Sequence, residues 1–414
     1  MSRRLISIIL IIGCSLSLTS CWSRREIEAL GFATLVAIDA AEDGQIELNV
    51  QLAITAALSP AEGGGGGGGG GSEAPVWTVS SKAKNFANAI EQVRTYAGKY
   101  PFWSHTRVII IGEELARKGI APILDYLIRN RDFRFSTKVM VSQGSAKDLL
   151  QVVPKLSKLP AEHLINLNQI AKDTSVTASR TLLDLILLLL EQKGTEAILP
   201  LLTAEATSPE KQASSAGKQG QDTTADEGQN EEKSLAMSGL AVFRGDKMVG
   251  TLDATDSRSV LWLRGESKRG TLMVEVPGQG YVVQGQIYAR RVLRLTNEDD
   301  RLRAKIIIYQ DGDLIEHNLT GPKELNSATM QQLDALLSAR IEADVQATLK
   351  KIQQELRADI IGIGDRAYRL YPKVFESVNW EGYFPEMPIE VEVHAHFRRT
   401  GELLEAPFAS IFES

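Results

Sequence analysis

Cysteine is almost missing from this chain: of 414 residues, only Cys14 and Cys21 carry a thiol. Cys14 lies within the first twenty residues. If those are cleaved, one cysteine remains and no intramolecular disulfide can form in any redox compartment. Histidine is nearly as scarce, at five residues, which leaves few imidazoles for metal binding or proton transfer. Basic charge is not in excess either, because 46 Lys and Arg stand against 52 Asp and Glu for a formal net charge of −6. A mildly acidic surface argues against a nucleic-acid partner and against a polybasic grip on anionic lipid. The motifs of the common enzyme chemistries are missing as well: GxSxG, the P-loop, HExxH and CxxC do not occur.

Two fragments of chemistry remain. Gly362-Ile363-Gly364-Asp365-Arg366-Ala367 has the spacing of a dinucleotide loop. That loop needs a strand before it, whereas the periodicity here places a long helix there, so the glycines are read as helix termination. His394 and His396 lie two apart beside Glu390 and Glu392, a donor set that suits zinc. The plainer reading is a solvated strand face. No catalytic, cofactor-binding or metal-binding residue is assigned, and the chain is read as a non-enzyme.

Apolar runs of membrane length are absent beyond the first twenty residues. Residues 182–190 are apolar, but they number nine, include Asp184 and cover less than half a span, so they predict a buried helix. The start of the chain is different. Arg3 and Arg4 precede the uncharged stretch 5–19, which ends at Leu18-Thr19-Ser20-Cys21. This is a basic region, an apolar region and a small-residue cleavage site followed by cysteine, the pattern of a lipoprotein signal. Ile11-Ile12-Gly13-Cys14 fits the same pattern but leaves too short an apolar region. The expectation is a signal peptide at 1–20 and lipid on Cys21, with the loss of Arg3 and Arg4 moving the net charge from −6 to −8.

The remaining chain exceeds a single core. Gly63 to Gly71 is a run of nine glycines, and 208–233 is almost wholly polar without an aromatic residue. Neither can offset chain entropy by packing. The division expected is an N-terminal α+β region at 21–205 of one or two domains with a Gly-rich loop at 63–71, a polar linker at 206–234, a middle β-rich region at 235–325, and a C-terminal α+β region at 326–405.

Within these regions, an apolar run at 32–38 and alternation over 45–52 flank Asp43-Gly44 and predict a hairpin. Helical spacing covers 81–96, a strand at 107–112 leads into a helix at 113–129, and a strand at 137–142 leads into a helix capped by Ser145. Strand-helix-strand order implies a parallel pair in a mixed sheet. Two short apolar runs at 238–243 and 248–250 form another hairpin, with further strands at 271–276, 281–294 and 304–309. Leu333, Leu337, Ile341, Val345, Leu349, Ile352, Leu356 and Ile360 then predict one long amphipathic helix over 327–361, with Leu356 inside its buried stripe. A last strand, 389–397, has one wet face.

The sequence resembles a known family, the spore-germination receptor C-subunit lipoproteins or Ger(x)C family, over nearly its whole mature length. The likeness begins at Cys21-Trp22-Ser23-Arg24-Arg25-Glu26-Ile27, continues through Ser104-His105-Thr106-Arg107-Val108 and Arg129-Asn130-Arg131-Asp132-Phe133-Arg134, and takes in Gly239-Leu240-Ala241-Val242-Phe243 and Leu261-Trp262-Leu263-Arg264-Gly265. It ends on Ala358-Asp359-Ile360-Ile361-Gly362-Ile363-Gly364, Tyr371-Pro372 and Trp380. The chain departs from the family at Ser23, where Asp is usual, and in the run 63–71.

The resemblance implies three α+β domains of mixed sheet packed with helices. It also implies a place on the outer face of the spore inner membrane, and assembly with integral-membrane A and B subunits into a nutrient receptor in which this subunit is non-catalytic. A transporter's substrate-binding lipoprotein or a secreted lipoprotein enzyme is the competing expectation.

Overall fold

The computed structural model describes residues 29–54, 75–154, 157–190, 193–206, 233–320 and 326–399. Cys21, the signal segment, the glycine run and most of the polar linker lie outside the described residues.

The chain enters on β1 (Leu30–Ala40) and turns at Asp43-Gly44, both left-handed at φ 55 and 69, into the antiparallel β2 (Ile46–Ala53). Asp and Gly tolerate that conformation, which is why the pair marks the turn in sequence. β3 (Val76–Ala83) follows and pairs with β2. The helical reading of 81–96 therefore begins too early. Residues 81–83 are strand, and Asn85 caps α1 (Phe86–Ala97) by accepting from Asn88 N.

A short β4 (Tyr100–Phe102) lies beside the start of β1, and β5 (Val108–Gly112) continues alongside it. The helix expected over 113–129 is two helices, α2 (Glu113–Lys118) and α3 (Ala121–Arg129). Gly119 breaks them at φ 126, where a side chain would strike Asp246.

β6 (Lys138–Ser142) is parallel to β5 and leads to α4 (Ala146–Leu149), capped by Ser145 as the sequence predicts. After α5 (Pro160–Asp173) and α6 (Leu182–Leu190) come β7 (Ile198–Ala206), β8 (Lys233–Arg244) and β9 (Lys247–Leu252). The strand order is β3-β2-β1-β5-β6-β7-β8-β9 with β4 beside β1, a mixed nine-stranded sheet. The hairpin β8–β9 hydrogen-bonds to β7, so this sheet continues across the polar segment.

Both faces of the sheet are covered. Ile109, Ile111 and Val139 pack under α1, α2, α3 and α6, while Val108, Ile110 and Met140 pack under α4 and α5. Burial on both faces explains the unbroken Val-Ile-Ile-Ile run. It also buries the polar face of β2: Asn49 and Gln51 are fully enclosed, and Asn49 Oδ1 accepts from Ser80 Oγ at 2.6 Å. α6 buries Leu182, Leu185 and Leu188, but Leu183, Leu187 and Leu190 remain exposed.

α7 (Ala254–Arg264) carries the chain to a second sheet, β10 (Gly270–Val276), β11 (Gly280–Glu298), β12 (Arg301–His317) and β13 (Ile389–Phe397). The first three are antiparallel, and β13 runs parallel to β12. Across this sheet lies α8 (Ser327–Lys350), which buries Leu333, Leu337, Ile341, Val345 and Leu349. The helix ends earlier than its periodicity implies. It passes through one wider π turn, Lys351–Glu355, and stops where Arg357 is left-handed at φ 50. Leu356 is only half buried, and Ile360 packs from the loop beyond. The glycines expected to end this helix open the next one instead: Gly362, at φ 81, precedes α9 (Ile363–Leu370). α10 (Pro372–Ser377) and α11 (Trp380–Tyr383) complete the chain before β13. The class is α+β, as the sequence predicts.

Shortening the glycine run should leave the fold intact. Residues 54 and 75, which flank the segment containing it, are already joined by Ile54 N donating to Pro75 O at 2.9 Å, so a short connection closes as well as a long one. Replacing nine glycines with three cuts 20 intervening residues to 14. On loop-closure entropy this is neutral or stabilising by about 0.3 kcal/mol. Thermal melting should therefore move by no more than a degree or two, whereas a fall of many degrees would make the run structural.

Candidate functional site: a buried charge junction

The two sheets meet at a cluster of charges. Arg264 is the last residue of α7, which Gly265 ends at φ 71. Its guanidinium donates to Glu266 Oε1 at 2.8 Å and to the carbonyl of Ile360. Arg180, from the segment before α6, donates to Glu266 Oε2 at 2.6 Å. Arg291 of β11 donates to the carbonyls of Leu263 and Ile361. Three guanidiniums and one carboxylate thus tie α7, β11, the first sheet's flank and the loop after α8.

That loop is organised by Asp359. Its Oδ1 accepts from the amides of Ile361, Gly362 and Ile363 at 3.2, 3.0 and 3.3 Å. Oδ2 accepts from Gly364 N at 2.6 Å and from the Trp380 indole at 3.2 Å. Gly364 must lack a side chain, since a Cβ would sit 2.3 Å from Gly194 O. The GxGxxA amides therefore face an internal carboxylate. Glu196 N reaches Asp359 O at 2.8 Å, and Glu196 Oε2 accepts from Gly245 N, linking the loop to the β8–β9 turn.

Burial pushes the Asp359 carboxyl up from its ordinary range, and the surrounding N–H groups oppose it. Glu266 behaves in the opposite way: burial would raise it, but the guanidiniums of Arg264 and Arg180 outweigh burial and hold it low. Asp359 is 3% exposed, and its five partners are all donors. A sealed, saturated carboxylate offers nothing to a substrate; its chemistry is the joining of segments.

The charged side chains of β13 are also paired. Lys305 lies between Glu390 and Glu392, His394 pairs with Glu392 and His396 with Asp334, so the two histidines turn to different carboxylates. A cleft of about 420 Å³ near the ends of β1 and β5 is lined by Asp39, Glu47, Glu113 and Arg117. There Asp39 accepts from the amides of Ala146 and Lys147, Glu47 pairs with Lys147, and Glu113 pairs with Arg117. Among the described residues no group of three or more His, Cys, Asp or Glu could hold a metal ion, and no helix is long and apolar enough to cross a membrane.

The motif 104–107 also joins strands. Thr106 Oγ1 donates to Ala33 O, Thr137 Oγ1 to Thr106 O and Ser104 Oγ to Asp132 O, and Trp103 stacks on Phe133 with centroids 5.2 Å apart. The sequence motifs thus supply Arg264, Asp359, Gly364 and Trp380 to one junction. Arg180, Glu266, Arg291 and Glu196 were not anticipated. The one signal available was a lone charge at the edge of an apolar run, as at Glu196 before Ala-Ile-Leu.

Two unlike mixed sheets joined through a buried charge junction define, in class, an α+β scaffold. The family can also be stated. Residues 23–204 match the family model described as spore germination protein N-terminal domain, and 238–401 match that described as spore germination B3/GerAC like, C-terminal. The chain belongs to this Ger(x)C family of spore germination proteins. Putative spore germination protein YfkR of Bacillus subtilis (strain 168) is 27% identical over 378 residues, 90% of this chain and 91% of its own length. Spore germination protein KC of the same organism is 24% identical, covering 97% of each chain. The crystal structure of the GerBC protein shares the fold at a TM-score of 0.51 and 18% identity, over 90% of this chain and all of that one. Membership supports a role in spore germination.

Proposed function

We propose that this chain is the C subunit of a nutrient germinant receptor, held by lipid on Cys21 to the outer face of the spore inner membrane and assembled with integral-membrane A and B subunits. The observation that carries the reading is the pairing of a lipoprotein signal ending at Cys21 with matches to both family models across one continuous chain. The work of the subunit is assembly rather than catalysis, which accords with carboxylates that are saturated by internal donors. The unlike sheets, nine strands and four, argue against the two similar lobes of a transporter's binding protein.

The reading is tested by tagging the chain in spores and purifying it from detergent-solubilised inner membrane. Stoichiometric A- and B-type subunits should accompany it. Recovery from the soluble fraction, or from membrane without such partners, contradicts the proposal.

A further inference from the structure

The first sheet brings several exposed aromatic side chains to one end of the molecule. β1, β4, β5 and β6 are parallel and so begin toward one end, Tyr100 level with Leu30, and Val108 and Lys138 level with Leu35 five residues further along β1. β2 runs the opposite way and β3 returns, which places the Leu52–Trp77 pair at the same end. α1 finishes there too, since Gly98 after its last turn leads within two residues to Tyr100. The loop before β6 is held to this end by Ser104 Oγ on Asp132 O. Trp77, Tyr96, Tyr100 and Phe135 are 47%, 59%, 49% and 46% exposed, whereas Trp103 and Trp262 are enclosed.

Two loops of this rim carry charge opposite to that of the chain. The loops at 98–107 and 130–137 carry Lys99, Arg107, Arg131 and Arg134, all exposed, against Asp132 alone. The local balance is +3 on a protein whose formal charge is −6. Half-exposed Trp and Tyr among basic side chains are the composition that settles at the water–bilayer interface, with rings at the headgroup level and cations over phosphate. The chain's start gives the location. Cys21 precedes Leu30 by nine residues, which span at most about 30 Å.

We infer that this rim lies on an anionic phospholipid surface and fixes one orientation of the tethered protein, with the β1–β2 turn pointing away. The inference rests on the lipid anchor proposed above. It revises the expectation from net charge, because the grip is local.

The mature lipoprotein has no free thiol, so single cysteines take a fluorescent label uniquely. Ser136→Cys and Thr95→Cys place a label on the rim, and Glu42→Cys places one at the other end of β1, about 35 Å away along eleven residues. In phosphatidylglycerol-containing vesicles bearing a headgroup-level nitroxide quencher, the rim labels should be quenched at least about twofold and the Glu42→Cys label unchanged, with quenching reduced by salt. Equal, weak quenching at all three positions overturns the inference. So does rim protection that appears only when integral-membrane subunits are added, since the rim would then face protein. If mass spectrometry finds Cys21 without lipid, the anchor reading fails by itself. The full chain with Cys21→Ser is then mixed with the same vesicles, where quenching at the rim still supports the surface and its absence rejects it.

Discussion

Asp359→Leu should cost the folded state most of its stability. The substitution keeps the branched shape, with bulkier methyls, but removes the acceptor for four backbone amides and the Trp380 indole, most of them buried. A buried donor left unpaired costs about 1–3 kcal/mol. Even if the loop relaxes to satisfy half of them, the loss is comparable with the roughly 5–15 kcal/mol that holds a typical domain together. Asp359→Asn should fall between, because one oxygen remains while the amide NH₂ turns a donor toward donors. Urea denaturation of wild type and both variants reads the order directly. A Leu variant with the wild-type midpoint would mean that the loop is held by apolar packing and that the carboxylate is incidental.

Ile341→Asp should be nearly as damaging. Ile341 is fully enclosed at the middle of α8, and an aspartate there must either bury an unpaired charge or lift the helix from the second sheet, at a cost of several kcal/mol. Leu356→Asp is the informative contrast. Leu356 lies past the helix end, half buried against the Gly250 backbone, so its carboxylate can turn to water and the loss should be smaller by a clear margin. Comparing the two denaturation midpoints tests where the stripe stops. Equal losses would mean that the stripe continues to Leu356.

Much of the fold was legible because the signals were local. The Asp43-Gly44 turn, the Ser145 cap, the apolar runs of β5 and β6 and the spacing of Leu333 to Ile352 each need only neighbouring residues to specify them. What was missed depended on distant partners. β3 is half polar, and its pairing with β2 follows a long intervening segment, so Val76–Ala83 gives no clear alternation. α2 and α3 read as one helix because Gly119 is a break only where Asp246 approaches from β8–β9. α8 stops at Arg357, which no turn residue announces. The charge junction was half visible: Arg264, Asp359, Gly364 and Trp380 stood in the motifs, but their roles needed Arg180, Glu266 and Arg291, brought together over a hundred residues and more. The glycines of GxGxxA do not stop the long helix, which ends at Arg357, but precede and open the next one. They supply amides to Asp359.

On the function proposed above, lipid on Cys21 holds this chain at the membrane where its receptor assembles. Two or more acyl chains, at about 0.8 kcal/mol per buried CH₂, anchor a protein stably where one does not, and confinement raises its effective concentration beside membrane partners toward the millimolar range. Cys21 precedes every described element, so Cys21→Ala should leave the fold unchanged. Detergent phase partitioning of spore extracts, with nutrient-triggered germination measured on the same spores, is the direct test. The account predicts that the variant leaves the detergent phase and that germination slows severely. Undiminished retention in the detergent phase with wild-type germination would contradict it.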